Sequence, residues 1–325
     1  MTAFFSRGEI ARARSIGVIS LLALGCHSNS ITGTATESRE ASRIASTQSR
    51  EASRIASTQS REASRIASTE SAAAAPAACV SVPFAKERSD SLPPLVGPWL
   101  VELARHGQTE DVVTLPLGTT ELRPVVVAVH GAGDNPNWAC GGWRIGVESF
   151  AFVACPGGLP MGAKIFGWSG TQSIRTAVER TLSELRARFG SYWFDGPMIY
   201  AGFSQGAILA APFLVENAAR FPVAAIAEGG YDYIADPKFA HDYRAAGGTR
   251  IMLLCGTGPC FTTARRAQTV LEKAGLVVIV AGDHLSGHNL NERMQNALRK
   301  EWSNLVEGLP GWASFEQHRW PAPER

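Results

Sequence analysis

The pattern of apolar and polar positions changes character near residue 82. Beyond that point, short runs of consecutive apolar residues alternate with segments of helical period. The runs at 124–129, 149–154, 197–201, 222–227, 250–254 and 276–280 read as strands. Residues 171–189 read as a helix with Ile174, Val178, Leu182, Leu185 and Phe189 on one face and Gly190 as its stop. A second helix is expected over 262–274, stopped by Gly275. A third is expected over 289–305, with Leu290, Met294, Ala297, Leu298 and Leu305 inward. Strands without polar alternation, separated by helices, predict an α/β fold: a mostly parallel central sheet with helices on both faces. In such sheets ligands bind beyond the carboxyl ends of the strands, so the residues just after each run are the ones to search.

The first such place is Gly202-Phe203-Ser204-Gln205-Gly206, between an apolar run and a small-residue run. Gly-x-Ser-x-Gly at a strand-to-helix turn is an elbow that exposes a serine hydroxyl on a strained backbone, and a side chain at either glycine would crowd the adjoining helix and strand. A serine hydroxyl is a weak nucleophile without a neighbouring base, so the candidate stands or falls on the partners of Ser204. After the 124–129 run comes His130-Gly131-Ala132-Gly133-Asp134, a glycine-rich loop whose N–H groups can face a reacting carbonyl oxygen. Late in the chain stands Gly287-His288.

These three motifs together resemble the carboxylesterase/phospholipase branch of the α/β-hydrolases, which includes acyl-protein thioesterases and bacterial serine carboxylesterases. The resemblance spans roughly residues 122–306 and is carried most specifically by the serine pentapeptide. It implies an α/β-hydrolase fold and hydrolysis of esters or thioesters through an acyl-serine, with no cofactor. It places the oxyanion donors at the N–H groups of Ala132 and Gln205 and the base at His288, with His284 the other candidate. The chain departs from the family at the acid. The loop that usually carries an aspartate reads Cys255-Gly256-Thr257-Gly258-Pro259-Cys260, without a carboxylate. A triad needs one to orient the imidazole. Glu228, at the end of the strand that follows the elbow helix, is the leading candidate. Asp232, Asp283 or no acid at all are the alternatives. Asp283, His284 and His288 also raise the question of a metal. Gly287 interrupts the helix that would align them and no His-Glu-x-x-His occurs, so no metal is expected. Trp138, Trp143 and Trp168 fall near the expected mouth, where they are candidates for holding an acyl or aromatic group; packing is the alternative.

Composition bounds the partners. The 325 residues carry a net charge of +2, with 18% charged residues, which gives no basic surface for nucleic acid. At the N-terminus, Arg7, Arg12 and Arg14 precede a nine-residue apolar core at 16–24 and then Gly25-Cys26. This resembles a bacterial lipoprotein signal, with Cys26 lipidated. The expected product is a membrane-anchored exported protein or, alternatively, a secreted one; a cytoplasmic protein with an apolar start is the remaining reading. Residues 27–81 are expected to form a low-complexity tether: an 11-residue unit occurs three times, starting at Ser38, Ser49 and Ser60. Its apolar stripe, alanines plus Ile44, Ile55 and Ile66, is too thin to offset ordering entropy. A coil of about 50 residues reaches roughly 40 Å, which suits a domain held off a membrane. The hydrolase domain is placed at 82–325. In an oxidising compartment Cys140 and Cys155, and Cys255 and Cys260, are expected to pair, leaving Cys79; five buried thiols is the other reading. The leading expectation is an exported serine hydrolase acting on small-molecule carboxylic esters. The alternatives are a peptidase or polyester depolymerase on the same fold, or a non-catalytic surface binding protein.

Overall fold

A computed structural model describes residues 91–318. The signal segment with Cys26, the repeat tether and Cys79 lie outside the described residues. The described chain forms an eight-stranded sheet and a two-stranded ribbon. In chain order the elements are β1 (Leu100–His106), β2 (Thr109–Thr114), β3 (Val125–Val129), α1 (Pro136–Val147), β4 (Phe152–Cys155), β5 (Leu159–Gly162), β6 (Ile165–Gly167), α2 (Thr171–Phe189), β7 (Ile199–Phe203), α3 (Gln205–Ile208), α4 (Ala210–Asn217), β8 (Val223–Ala227), α5 (Tyr231–Ile234), α6 (Pro237–Ala245), β9 (Arg250–Cys255), α7 (Gly258–Lys273), β10 (Val277–Gly282), α8 (Glu292–Val306) and α9 (Phe315–His318).

The large sheet runs β1-β2-β4-β3-β7-β8-β9-β10. β2 is antiparallel to both of its neighbours, and every other pairing is parallel. The strands read as continuous apolar runs because both faces are covered. Along β3, Val125, Val127 and Val129 enter one core, with α2, α4, α6 and α7. Val126 and Ala128 enter the other, with α1 and α8. The same alternation divides Ile199 from Tyr200 and Met252 from Leu253.

Several boundaries move from their sequence positions. The expected strand at 149–154 starts at Phe152, because Glu148 and Ser149 both have positive φ (47° and 68°) and turn the chain out of α1. α7 starts at Gly258 rather than residue 262. The Thr257 side chain caps it by accepting the Cys260 N–H, and Pro259 occupies its first turn. α8 starts at Glu292 because Asn291 caps it through the Met294 N–H, which leaves His288 in the preceding loop. The hairpin β1–β2, helix α1, ribbon β5–β6 and helix α6 were not expected from the sequence.

Two disulfides form within the described residues. Cys140–Cys155 ties α1 to the end of β4 across a sequence separation of 15, a closure worth about 3 kcal/mol in the chain-entropy picture. Cys255–Cys260 ties the end of β9 to the first turn of α7. A bidentate ion pair of Arg180 with the fully buried Asp111, at 2.6 Å on both oxygens, binds α2 to β2, and Asp111 also accepts the Gly157 N–H. Among the described residues no helix is long and apolar enough to cross a membrane.

Candidate active site

Ser204 sits at the turn between β7 and α3 with φ +49° and ψ −113°. Such a backbone costs of order 1–3 kcal/mol and persists only where its surroundings impose it. Close packing imposes it here. A Cβ on Gly206 would lie 2.4 Å from the Val129 carbonyl oxygen, and one on Gly202 would lie 2.9 Å from the Gly206 oxygen. Tyr200, buried in the core, donates to the same Gly206 carbonyl at 2.6 Å. The turn therefore cannot relax outward, and the hydroxyl stands at the carboxyl end of the central strand.

His288 reaches Ser204 from the loop between β10 and α8. Its Nε2 lies 2.9 Å from Ser204 Oγ, and its ring packs on Phe203 at 5.1 Å between centroids. Gly287, at φ +64°, turns the chain just before it, and the Gly287 N–H donates to the Gly256 carbonyl. On the other side of the ring, Glu228 Oε2 is 3.3 Å from His288 Nδ1. The Glu228 side chain is only 5% exposed, against 58% for His288. Glu228 also has a positive φ, +57°. Its Oε1 accepts the Gly256 N–H and lies 3.6 Å from Cys260 Sγ. The loop that lacks an aspartate thus grips the glutamate from the neighbouring strand, and the Cys255–Cys260 bridge closes that grip. The other acid candidates are engaged elsewhere. Asp232 pairs with Arg266, and Asp283 accepts the Leu285 N–H. His284 packs against Phe261, tilted, at 4.2 Å between ring centroids. Among the described residues no group of three or more His, Cys, Asp or Glu side chains is placed to hold a metal ion.

The loop after β3 closes the site from the opposite side. A Cβ on Gly131 would lie 3.1 Å from the Ser204 Cβ, so the loop passes directly over the serine. Neither the Ala132 nor the Gln205 N–H has a hydrogen-bond partner among the described residues. Both are free to point at an oxyanion. Three residues hold this arrangement. The His130 ring is buried, with Nδ1 2.7 Å from the Gly131 carbonyl and Nε2 accepting the Gly158 N–H at 3.1 Å; this is a neutral ring protonated on Nδ1. Trp168 packs against it, tilted, at 4.7 Å between ring centroids and donates its indole N–H to the His130 carbonyl. The Gln205 side chain accepts the Trp168 N–H and donates to the Trp168 carbonyl. Trp168 therefore links the two segments that carry the candidate oxyanion donors.

This corrects one sequence expectation. Trp168 is 6% exposed and Trp143 fully buried; neither faces a substrate, because their rings fill the core behind the loop and beneath α1. Trp138 is different. It is 65% exposed and lines a cavity of about 480 Å³ together with Phe203 and His288. The positioning roles of His130 and of the Gln205 side chain were not read from the sequence. The signal available was only that a histidine ends an apolar run.

Burial lowers the His130 pKa from 6.5 to about 4. An unfolded chain takes up this proton as pH falls below about 6.5, while the folded chain refuses it down to about 4. Stability from this group is thus level above pH 6.5 and is lost as pH falls through that window, by about 3 kcal/mol in all. Urea midpoints from pH 7.5 to 4.5 are expected to drop less for His130→Asn than for the wild type. Equal drops would contradict a neutral buried ring.

The strand order, the elbow and the covered sheet together define an α/β-hydrolase fold. No protein-family model and no curated protein matches the chain. Solved structures with similar coordinates include a lipase in its open form, at 13% identity over 64% of this chain and 99% of that one, TM-score 0.46. A carboxylesterase from Bacillus cereus is 14% identical over 66% of this chain and 96% of its own, TM-score 0.43. A thermostable carboxyl esterase from Bacillus coagulans is 10% identical over 65% of this chain and 100% of its own, TM-score 0.49.

Proposed function

We propose that this protein is an exported serine hydrolase that cleaves carboxylic esters through an acyl-serine intermediate. The observation that carries the proposal is the 2.9 Å contact of Ser204 Oγ with His288 Nε2, with Glu228 held on the far nitrogen of the same ring. Ser204 Oγ attacks the ester carbonyl while His288 Nε2 takes its proton. The buried carboxylate of Glu228 keeps the remaining proton on Nδ1 and stabilises the imidazolium that forms. The N–H groups of Ala132 and Gln205 stabilise the oxyanion, each worth about 3 kcal/mol in the transition state. His288 then gives the proton to the departing alkoxide, the acyl–oxygen bond breaks, and water enters by the reverse sequence to release the acid and free Ser204.

The exported setting is part of the proposal. It is supported by the apolar core before Cys26 and by two disulfides, which persist in oxidising compartments. Lipidation of Cys26 would anchor the domain through the repeat segment. Turnover of p-nitrophenyl acetate tests the chemistry. A pre-steady-state burst of p-nitrophenol close to one equivalent is expected when deacylation is the slower step. No turnover and no burst would contradict the proposal.

A further inference from the structure

We infer that the Cys255–Cys260 disulfide is a positioning pair for Glu228, so that fast catalysis requires this bridge to be oxidised. The inference rests on the serine-hydrolase reading above and adds a condition on its acid. Glu228 comes from one strand and is held by the segment that follows another. Its side chain is nearly buried, and among the described residues the Gly256 N–H is the one hydrogen-bond donor to its carboxylate other than His288. A disulfide sulfur has no proton to donate, so the approach of Cys260 Sγ to Glu228 Oε1 is a packing contact. Gly256 is the first residue beyond β9, whose ladder with β10 ends where Cys255 faces Gly282. The bridge leaves the chain at Cys255 and returns at Cys260. It therefore closes a ring over Gly256 and lays one of its own sulfurs against the carboxylate.

The ordinary use of a disulfide is to stabilise the fold, and this bridge is poorly suited to that. The gain from closing a loop grows with loop length. The sequence separation is 5 here, against 15 for Cys140–Cys155. Nor does α7 need the bridge to start, because Thr257 caps it and Pro259 occupies its first turn. What the bridge fixes is local: the one donor and the one packing surface that hold the acid. Glu228 Oε2 is already at the long end of hydrogen-bond reach from His288 Nδ1, at 3.3 Å.

Reduction has a route. Cys255 is fully buried, but Cys260 is only half-buried. A thiolate of a small dithiol attacks Cys260 Sγ, the S–S bond breaks and its electron pair leaves on Cys255 Sγ, which takes up a proton. The second thiol of the reductant then displaces Cys260, giving two protein thiols and a cyclic disulfide of the reductant. The two sulfurs part to a non-bonded contact, and the ring around Gly256 opens. A misplacement of about 1 Å in such a site costs about a hundredfold. In a reducing compartment the chain is then a slow hydrolase, and oxidation after export makes it a fast one.

The test uses the whole protein. It is reduced with dithiothreitol, the reductant is removed under argon because thiols cleave activated esters themselves, and p-nitrophenyl acetate turnover is compared with the oxidised form. A separate portion is unfolded, alkylated and mapped by mass. Cys255 and Cys260 are expected to be alkylated while Cys140 and Cys155, both fully buried, stay bridged. We expect kcat to fall about ten- to hundredfold with KM within a few-fold, and to recover on reoxidation with oxidised glutathione. Cys260→Ser is expected to show the same low kcat with or without dithiothreitol, which covers a bridge that resists the reductant. Adding Cys260→Ser to Glu228→Gln is expected to change kcat by no more than about threefold, because the group being positioned is already gone. Reduced protein or Cys260→Ser with kcat within about twofold of the oxidised wild type would overturn the inference. So would loss of the folded state by circular dichroism, which would make the bridge a structural staple. An equal loss in the Glu228→Gln background would overturn it too, by putting the effect elsewhere. No turnover by the oxidised wild type would instead overturn the esterase reading beneath it.

Discussion

Ser204→Ala is expected to lower kcat on p-nitrophenyl acetate by about 10⁴–10⁶, since the other members of such a site contribute little once the nucleophile is gone. The substitution removes one oxygen, and among the described residues no partner except His288 bonds it. The elbow is held by Gly202, Gly206 and Tyr200 rather than by the hydroxyl, so the thermal midpoint is expected to stay within a degree or two of the wild type. The loss is chemical, and KM changes little. Turnover of the variant within tenfold of the wild type, in a preparation free of other esterases, would place the nucleophile elsewhere.

Glu228→Gln carries the second-largest expected effect, a fall in kcat of about 10³–10⁴. Glutamine keeps the size and an oxygen for the Gly256 N–H, so the bonding of the 255–260 loop survives. What changes is the atom facing His288 Nδ1, 3.3 Å away. An amide NH₂ there donates where the carboxylate accepted. The ring is then driven to carry its proton on Nε2, pointing a donor at Ser204 Oγ when an acceptor is needed. The charge that balances the imidazolium is also lost. Asp283→Asn is expected to leave kcat within a few-fold, because that carboxylate is turned to the Leu285 N–H. If the two variants exchanged these outcomes, the assignment of the acid would be wrong.

The contrast shows what the sequence made legible. The sheet was readable because each central strand is buried on both faces and so lacks polar residues. Ser204 was readable because close approach to β3 demands glycine at 202 and 206, and this leaves a mark in the letters. The Glu228 candidacy followed from the resemblance: some α/β-hydrolases carry the acid after the strand that follows the elbow helix, and there this chain has a carboxylate with glycines behind it. Helix α1 was not readable. Its buried face is made of Ala139, Cys140, Gly142, Trp143 and Gly146, a composition that reads as a loop. Gly146 is small for a tertiary reason: a Cβ there would lie 2.8 Å from the Trp302 ring. Asn135 before Pro136 was the one local sign of a helix start. The β1–β2 hairpin lies at the sheet edge and mixes charge with apolar residues, so its period is weak. Trp138 and Trp168 look alike in sequence. Only packing turns one outward to the cavity and the other inward onto His130.

The same packing explains how a loop without a carboxylate serves the site. Cys255–Cys260 and Gly256 hold Glu228 from below, and Gly256 also receives the Gly287 N–H that sets the turn before His288. Acid and base are thus positioned from one short segment at the end of β9.

The most direct measurement is the mass of the folded protein after exposure to a fluorophosphonate, followed by mapping of the modified peptide. A single phosphonyl adduct on Ser204 is expected in the wild type, none in Ser204→Ala, and much slower labelling in His288→Ala. A folded wild-type protein that takes up no adduct, or that carries it on another residue, would contradict the claim that His288 activates Ser204 as a nucleophile.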